Sequence, residues 1–297
     1  MTNILRPQSL SGIIGQKRLC DSLKITLNAS KIENRAVPHI LLSGRPGTGK
    51  TSIALAMAYD AGRKIQTANA ASIKSIKDIL PYLMRLEELS ILFVDEIHGL
   101  PQLVEEFLYP AIEDFKVDLV TKGEALTLPL PRFTLIGATT AAGELSKPLR
   151  DRFQINETLD LYTSIDISKI AINNMLKLGI IMEARCIDYI SEISRGTPRI
   201  CNNLLLWIKD CSLSEGIKYM TLDFVKSCVK MKGIDEKGLT IEDRQYLDCL
   251  KNNKKAVGVS TIAATTGLSK STIENVIEPY LLERQLMQRT SKGRVIV

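Results

Sequence analysis

The sequence predicts an α/β fold class: a parallel sheet covered by helices, then an all-helical segment, then a helix–helix–helix–hairpin module. Three observations carry this prediction. Over residues 1–162 short apolar runs alternate with helical periodicity, the pattern of a parallel sheet buried under helices. From Ser164 to about Gly233 the apolar spacing is helical, with no convincing strand. Residues 238–297 then read as three short helices and a turn between two short strands.

The expected strands are His39–Ser43, Lys64–Ala68, Ser90–Val94, Phe133–Gly137 and Leu159–Tyr162. Each is apolar enough for burial on both faces. In the last segment Ile241–Lys251 and Ser260–Thr266 read as helices. A third opens from Leu268, with a capping-box pattern at Ser271-Thr272-Ile273-Glu274. Leu286–Thr290, the turn Ser291-Lys292-Gly293 and Arg294–Val297 form the hairpin of a winged helix. The expected domains are therefore 1–162, 163–237 and 238–297.

A chain of 297 residues has room for two or three such domains. No apolar run approaches the ~18–20 residues of a membrane span, and Met1-Thr2-Asn3 opens no signal peptide. A cytoplasmic protein without membrane contact is expected. The six cysteines (Cys20, Cys186, Cys201, Cys211, Cys228, Cys249) make no CxxC pair and there are two histidines, which argues against zinc and for reduced, buried thiols. The net charge is +6, and residues 238–297 carry nine Lys/Arg against six Asp/Glu. After Glu283 come Arg284, Arg289, Lys292 and Arg294 with no acid among them. A basic wing suits a DNA backbone; a solvated basic tail or a protein-binding wing has the same composition.

The chemistry concentrates beyond the carboxyl ends of the expected strands, where α/β sheets bind ligands. Gly44-Arg45-Pro46-Gly47-Thr48-Gly49-Lys50-Thr51 matches GxxxxGK[ST] between an apolar strand and the helix Ser52–Ala58. In that setting backbone N–H groups cradle phosphates, Lys50 reaches the terminal ones and the Thr51 hydroxyl ligates Mg²⁺. About forty-five residues on, Ile91-Leu92-Phe93-Val94 ends in Asp95 and Glu96. Asp95 supports the Mg²⁺ shell and Glu96 activates the attacking water. Phe133–Gly137 runs on to Thr139 and Thr140, either of which could sense the γ-phosphate. Arg150 and Arg152 in Leu149-Arg150-Asp151-Arg152-Phe153 offer a guanidinium for phosphoryl transfer, often supplied by a neighbouring subunit. Gly196-Thr197-Pro198-Arg199 starts a helix from which Arg199 could reach the γ-phosphate.

Together these motifs resemble an AAA+ ATPase, and over essentially the whole chain the RuvB family, the motor of Holliday-junction branch migration. The narrower likeness lies in Leu5-Arg6-Pro7, Ile14-Gly15-Gln16, Asp95-Glu96-Ile97-His98, residues 104–115 (ending Glu113-Asp114-Phe115), Leu135–Thr140, Pro148–Phe153, Arg195–Ile200 and Ile277-Glu278-Pro279-Tyr280-Leu281. The resemblance implies an ATP- and Mg²⁺-dependent helicase-like motor of DNA recombination and repair. It implies a homo-hexameric ring on double-stranded DNA at four-way junctions, with a RuvA-like junction-binding partner. By position, Leu5 and Arg6 would line the adenine pocket. Gly44, Gly47, Gly49, Lys50, Thr51 and Ser52 would hold phosphates and Mg²⁺, with Glu113, Asp114, Phe115 and Tyr162 also in the nucleotide-binding set. Arg152, rather than Arg150, would be the arginine finger and Arg199 a second sensor. Arg289, Arg294 and Lys270 would contact the DNA backbone.

The chain departs from the family at Arg45 and Thr48, where proline and leucine are usual, and at Gly99 and Ala141, where arginine is usual. Val117–Pro131, which resembles the hairpin that grips the RuvA partner, is about four residues shorter than the family's. Read from the residues alone, a clamp-loader or helicase-loader subunit and a nucleotide-bound, non-catalytic DNA-binding scaffold stay open. The set Lys50, Asp95, Glu96 and Arg152 speaks against the scaffold.

Overall fold

The computed structural model describes residues 2–121, 124–253 and 255–297. They form two compact units: one runs to Asp166 and includes Thr197–Arg199, the other comprises Ile167–Gly196 and Ile200–Val297.

In chain order the first unit contains α1 (Lys17–Ile32), β1 (Ile40–Gly44), α2 (Lys50–Ala61), β2 (Ile65–Asn69), α3 (Ile76–Met84), β3 (Ile91–Asp95) and α4 (Gln102–Glu113). There follow β4 (Lys116–Thr121), β5 (Glu124–Pro129), β6 (Thr134–Thr139), α5 (Lys147–Asp151) and β7 (Ile155–Leu159). Five strands pair in parallel in the order β2-β3-β6-β1-β7. Successive side chains of a strand point to opposite faces, and here both faces are covered. Leu92 and Val94 of β3 join Leu41, Leu135, Ile79, Leu83, Val104 and Leu108 on one side. Ile91 and Phe93 join Ile40, Leu42, Ile136, Leu23, Ile53 and Met57 on the other. The three central strands therefore read as continuous apolar runs.

The two edge strands do not fit the expectation of burial on both faces. β2 buries only Ala68, and in β7 Asn156 and Thr158 are exposed. β7 also lies earlier than the expected Leu159–Tyr162. An edge strand has one open side, so its polar residues hid it, and the apolar run that drew attention is the exit from it. Leu159 pairs with Gly44 at the end of β1, and Tyr162 packs beyond the sheet against Gly15. β4 and β5 form an antiparallel hairpin from Lys116↔Pro129 to Thr121↔Glu124.

The second unit takes in α6 (Ser164–Leu178) from Ile167 on, α7 (Ala184–Ile193), α8 (Pro198–Glu215) from Ile200 on and α9 (Leu222–Met231), whose inner faces bury Ile167, Ala171, Ile190, Leu205, Ile208 and Val225. It continues through α10 (Ile241–Lys251), α11 (Val259–Thr266), α12 (Lys270–Thr272), a π-helical turn Ile273–Ile277, α13 (Glu278–Glu283), β8 (Met287–Thr290) and β9 (Gly293–Ile296). Tyr246, Leu250, Ile262, Ile273, Ile277, Leu281 and Met287 form the core of this winged helix. The third helix is capped by Ser269, whose hydroxyl accepts from the Thr272 N–H, and not by the expected box at Ser271–Glu274.

Pro279 explains the π-helical turn. A helix-interior proline donates no hydrogen bond and crowds the carbonyl four residues back, and one wider turn relieves this. The Glu278 N–H then bonds to Ile273 O. The Glu274 carbonyl accepts instead from Arg289 Nη2 at 3.4 Å.

Candidate active site

The loop after β1 is shaped by glycines that no other residue could replace cheaply. Gly44, Gly47 and Gly49 have φ of 145°, 81° and 107°, a region that costs L side chains strain. A Cβ on Gly47 would also lie 2.8 Å from Thr197 Cγ2 and 2.9 Å from Arg199 Cβ. Thr197 and Arg199, which belong to the same unit as the loop, thus rest directly on it. Lys50 is buried, and its ammonium donates to Gly44 O at 2.7 Å and Arg45 O at 3.2 Å. Burial pushes its pKa down; the carboxylates of Glu96 and Asp95 oppose this and Arg199 adds to it. Thr48 is fully buried, and its hydroxyl donates to Arg45 O at 2.8 Å, so threonine replaces the family's leucine without an unsatisfied polar group.

Beside the loop, the ends of β3 and β6 bring Glu96 and Thr140 together. Glu96 adopts a left-handed backbone, φ 50°, which turns its side chain toward β6. Glu96 Oε2 accepts from the Thr140 N–H at 3.1 Å and the Thr140 hydroxyl at 2.9 Å. Thr139 is fully buried, 3.0 Å from His98 Nδ1, and accepts from the Ala141 N–H at 3.0 Å. Of the two threonines, Thr140 is therefore the one on Glu96, while Thr139 braces the turn. Burial and then the Glu96 charge raise the pKa of Asp95, as expected for a carboxyl that a cation would relieve. Thr51 and Asp95 line a cleft of about 680 Å³ with Arg6, Tyr59 and Asn69. An oxygen pair completed by phosphate and water suits Mg²⁺, which is seldom caged by protein alone. Ser52 lies half-buried in the first turn of α2, and Leu5 is buried while Arg6 is exposed. Tyr162 is buried, with its ring against Gly15 and its hydroxyl 3.5 Å from where a Gly49 Cβ would sit.

Arg152 and Glu113-Asp114-Phe115 lie elsewhere. Arg152 immediately precedes Phe153 and β7, and β7 runs parallel to β1, so Arg152 sits at the amino end of the sheet. Strands of five residues put the two ends about 16 Å apart. Phe115 packs there against His39 and Phe133, the residues that open β1 and β6. Glu113, Asp114 and Phe115, expected in the nucleotide set, thus stand with Arg152 at the amino end of the sheet and away from the chain's own loop. Arg152 stacks on Tyr109 at 4.0 Å, donates to Pro148 O at 2.8 Å and pairs with Glu113 at 3.2 Å. Its Nε is buried with no hydrogen-bond partner among the described residues.

Family comparisons agree with this arrangement along the chain. A model described as the Holliday junction DNA helicase RuvB P-loop domain matches residues 5–159. The RuvB AAA lid domain matches 162–235 and the RuvB C-terminal winged helix domain 236–297. The chain belongs to the RuvB family. The Holliday junction branch migration complex subunit RuvB of Rhodopirellula baltica is 40% identical over 297 residues, 98% of this chain and 81% of that protein. The RuvB subunit of Rubrobacter xylanophilus is 39% identical over 98% of this chain and 84% of its own. A solved structure of the Thermotoga maritima RuvB Holliday junction branch migration motor superposes with a TM-score of 0.88 at 34% identity, covering 99% of this chain and 96% of that one.

Within the RuvB winged helix, the wing arginines are not free cations. Arg289 Nε donates to Glu278 Oε2 at 2.7 Å, and Arg294 Nε to Glu278 Oε1 at 2.8 Å. Arg294 also reaches Glu274 at 2.9 Å, and Tyr246 donates to Glu278 at 3.0 Å. Glu278 is completely buried, whereas Arg289 keeps 48% of its side chain exposed and Arg294 16%. Lys270 is exposed at the start of α12. Sequence reading missed Glu278 and His98 as site residues. Both stand inside quoted family strings, but nothing in one dimension shows that Glu278 folds under the wing.

Proposed function

We propose that this chain is an ATP-driven motor subunit that assembles with copies of itself into a ring and moves duplex DNA at four-way junctions. The observation that carries the reading is the division of one sheet into two half-sites. Lys50, Thr51, Asp95, Glu96 and Thr140 converge at its carboxyl end, and Arg152 stands at its amino end with an unused buried donor. A guanidinium at the other end of the sheet from its own loop, about 16 Å away, suits a neighbour's nucleotide better than its own. The relatives named as branch migration subunits support the DNA substrate.

In this reading the loop amides and Lys50 grip the phosphates. Thr140 holds Glu96 by Oε2, so that Oε1 accepts the attacking water's proton. Thr51 and Asp95 would hold Mg²⁺, which neutralises phosphate charge when bound. Arg152 meets the charge that develops on the neighbour's γ-phosphate, and Arg199, beside Gly47, reports whether that loop is filled. Residues 1–162, 163–237 and 238–297 act as motor, lid and DNA-binding domains. The ring is a hexamer in the cytoplasm, and a RuvA-like partner docks at the β4–β5 hairpin. No helix among the described residues is long and apolar enough to cross a membrane.

Steady-state ATP hydrolysis across protein concentration, alone and with four-way junction, linear duplex or single-stranded DNA, tests this. A rate that climbs more than linearly with protein and is stimulated by duplex or junction is expected. Indifference to all three DNAs favours a loader, and absence of hydrolysis a scaffold.

A further inference from the structure

The residues just before Thr197-Pro198-Arg199 make an unusual contact inside the second unit. Arg195 closes α7 with a left-handed backbone, φ 53°, followed by Gly196 at 60°. Its guanidinium donates to Gly238 O at 2.6 Å and to Asp243 Oδ2, and its Cζ lies over the Tyr280 ring, 4.1 Å from the centroid. The Asp243 side chain is 1% exposed and that of Arg195 12%. Asp243 is the N3 residue of the capping box that starts α10: its Oδ2 accepts from the Thr240 N–H at 2.7 Å, and its own N–H bonds to the Thr240 hydroxyl. Tyr280 donates to Lys237 O at 3.0 Å. One guanidinium thus gathers the linker, the first winged-helix helix and the third.

Two features set this contact apart from ordinary packing. Arg195 adopts a backbone region that non-glycine residues seldom occupy, a cost that persists only when the surroundings over-determine it. It also stands four residues before Arg199, and Thr197 and Arg199 are the residues that touch Gly47 of the phosphate loop. Chain connectivity therefore joins the loop contact to the clasp through Gly196, Thr197 and Pro198.

We propose that the Arg195–Asp243 clasp is a positioning element that carries nucleotide occupancy from the Thr197–Arg199 turn to the start of α10 in the winged helix. The inference rests on the nucleotide-binding part of the function proposed above and not on DNA. When the loop fills and Arg199 is drawn to the γ-phosphate, the displacement of the turn is passed to Gly238–Tyr246, because the buried Arg195 guanidinium donates to both Gly238 O and Asp243 Oδ2 and moves with them. A coupling of this kind is a free energy shared between two places.

Amide hydrogen exchange on the full chain carrying Glu96→Gln, with and without ATP, tests it. ATP is expected to slow exchange both in the phosphate loop and at Leu239–Tyr246, the latter by about fivefold. Asp243→Asn keeps an amide oxygen for the Thr240 cap but removes the charge; Arg195→Gln removes the fork. Either should erase the nucleotide effect at Leu239–Tyr246 while leaving it at the loop, and Arg195→Lys should restore only part. ATP protection confined to the loop in the parent protein would overturn the proposal, as would protection of Leu239–Tyr246 that survives both variants. Loss of protection everywhere in the variants would make the clasp merely structural. Absence of any ATP effect at the loop itself would overturn nucleotide binding, and the clasp proposal with it.

Discussion

Arg152 and Arg294 are held in outwardly similar ways and differ in the acid that holds them. Each guanidinium is about four-fifths covered, with 22% and 16% of the side chain exposed. Arg152 pairs with Glu113, which is 55% exposed; Arg294 pairs with Glu278, which is fully buried. An exposed acid solvates itself when its partner leaves, so that pair contributes little to the fold. A buried acid cannot, and losing its partner leaves an uncompensated charge. The first arginine can therefore leave its acid at little cost to the fold, while the second cannot. For two arginines covered to the same degree, the burial of the counter-ion sets what losing the pair costs.

The largest effect expected from this contrast belongs to Arg152→Ala. Turnover should fall by about a thousandfold, the scale of a lost arginine finger, with the thermal midpoint almost unmoved. Mixing sharpens the test. Arg152→Ala has an intact catalytic pole and Glu96→Gln an intact finger, so two inactive variants should regain hydrolysis when combined at ring-forming concentrations. If the mixture stays dead while both variants still assemble, the finger acts within its own chain or not at all. A large drop in thermal midpoint for Arg152→Ala would instead make Glu113 its structural partner and erase the contrast.

Arg294→Ala should reverse the pattern. Leaving Glu278 with only Arg289 and Tyr246 should destabilise the winged helix by about 3 kcal/mol in denaturant unfolding. Basal hydrolysis should suffer less. Adding Glu278→Gln to Arg294→Ala should recover part of the loss, because removing both charges costs less than stranding one. A double variant less stable than the single one would show that Glu278 is not the reason Arg294 matters.

The contrast also marks what the sequence could and could not disclose. The phosphate loop was legible because its chemistry is contiguous and its glycines are demanded by local backbone geometry; Asp95 and Glu96 were legible as acids ending an apolar strand. The choice between Thr139 and Thr140 was not, since it depends on which hydroxyl faces β3 across the sheet. Edge strands β2 and β7 were blurred because their open sides admit polar residues. The wing was read as a hairpin and as basic, yet its arginines looked free. Their counter-ion lies 11 and 16 residues upstream. The resemblance put Glu113 in the nucleotide set without saying at which end of the sheet it stands; only the sheet's polarity shows it beside Arg152.

Arg289 lies between the two extremes and gives the smallest effect. It keeps nearly half its side chain in solvent, and the more buried Arg294 would still compensate Glu278 without it, so its removal should cost stability only about 0.5–1 kcal/mol. What remains exposed can meet a phosphate. Arg289→Ala should therefore weaken duplex binding by a similar factor on every sequence and lower the salt-dependence slope by about one. Titrations of one duplex at four salt concentrations, repeated on a second sequence, give both quantities. A slope unchanged beside a lowered affinity would mean that Arg289 acts on DNA only by keeping the wing folded. The wing's direct phosphate contacts would then fall to other cations, with the exposed Lys270 and Lys292 the next to substitute.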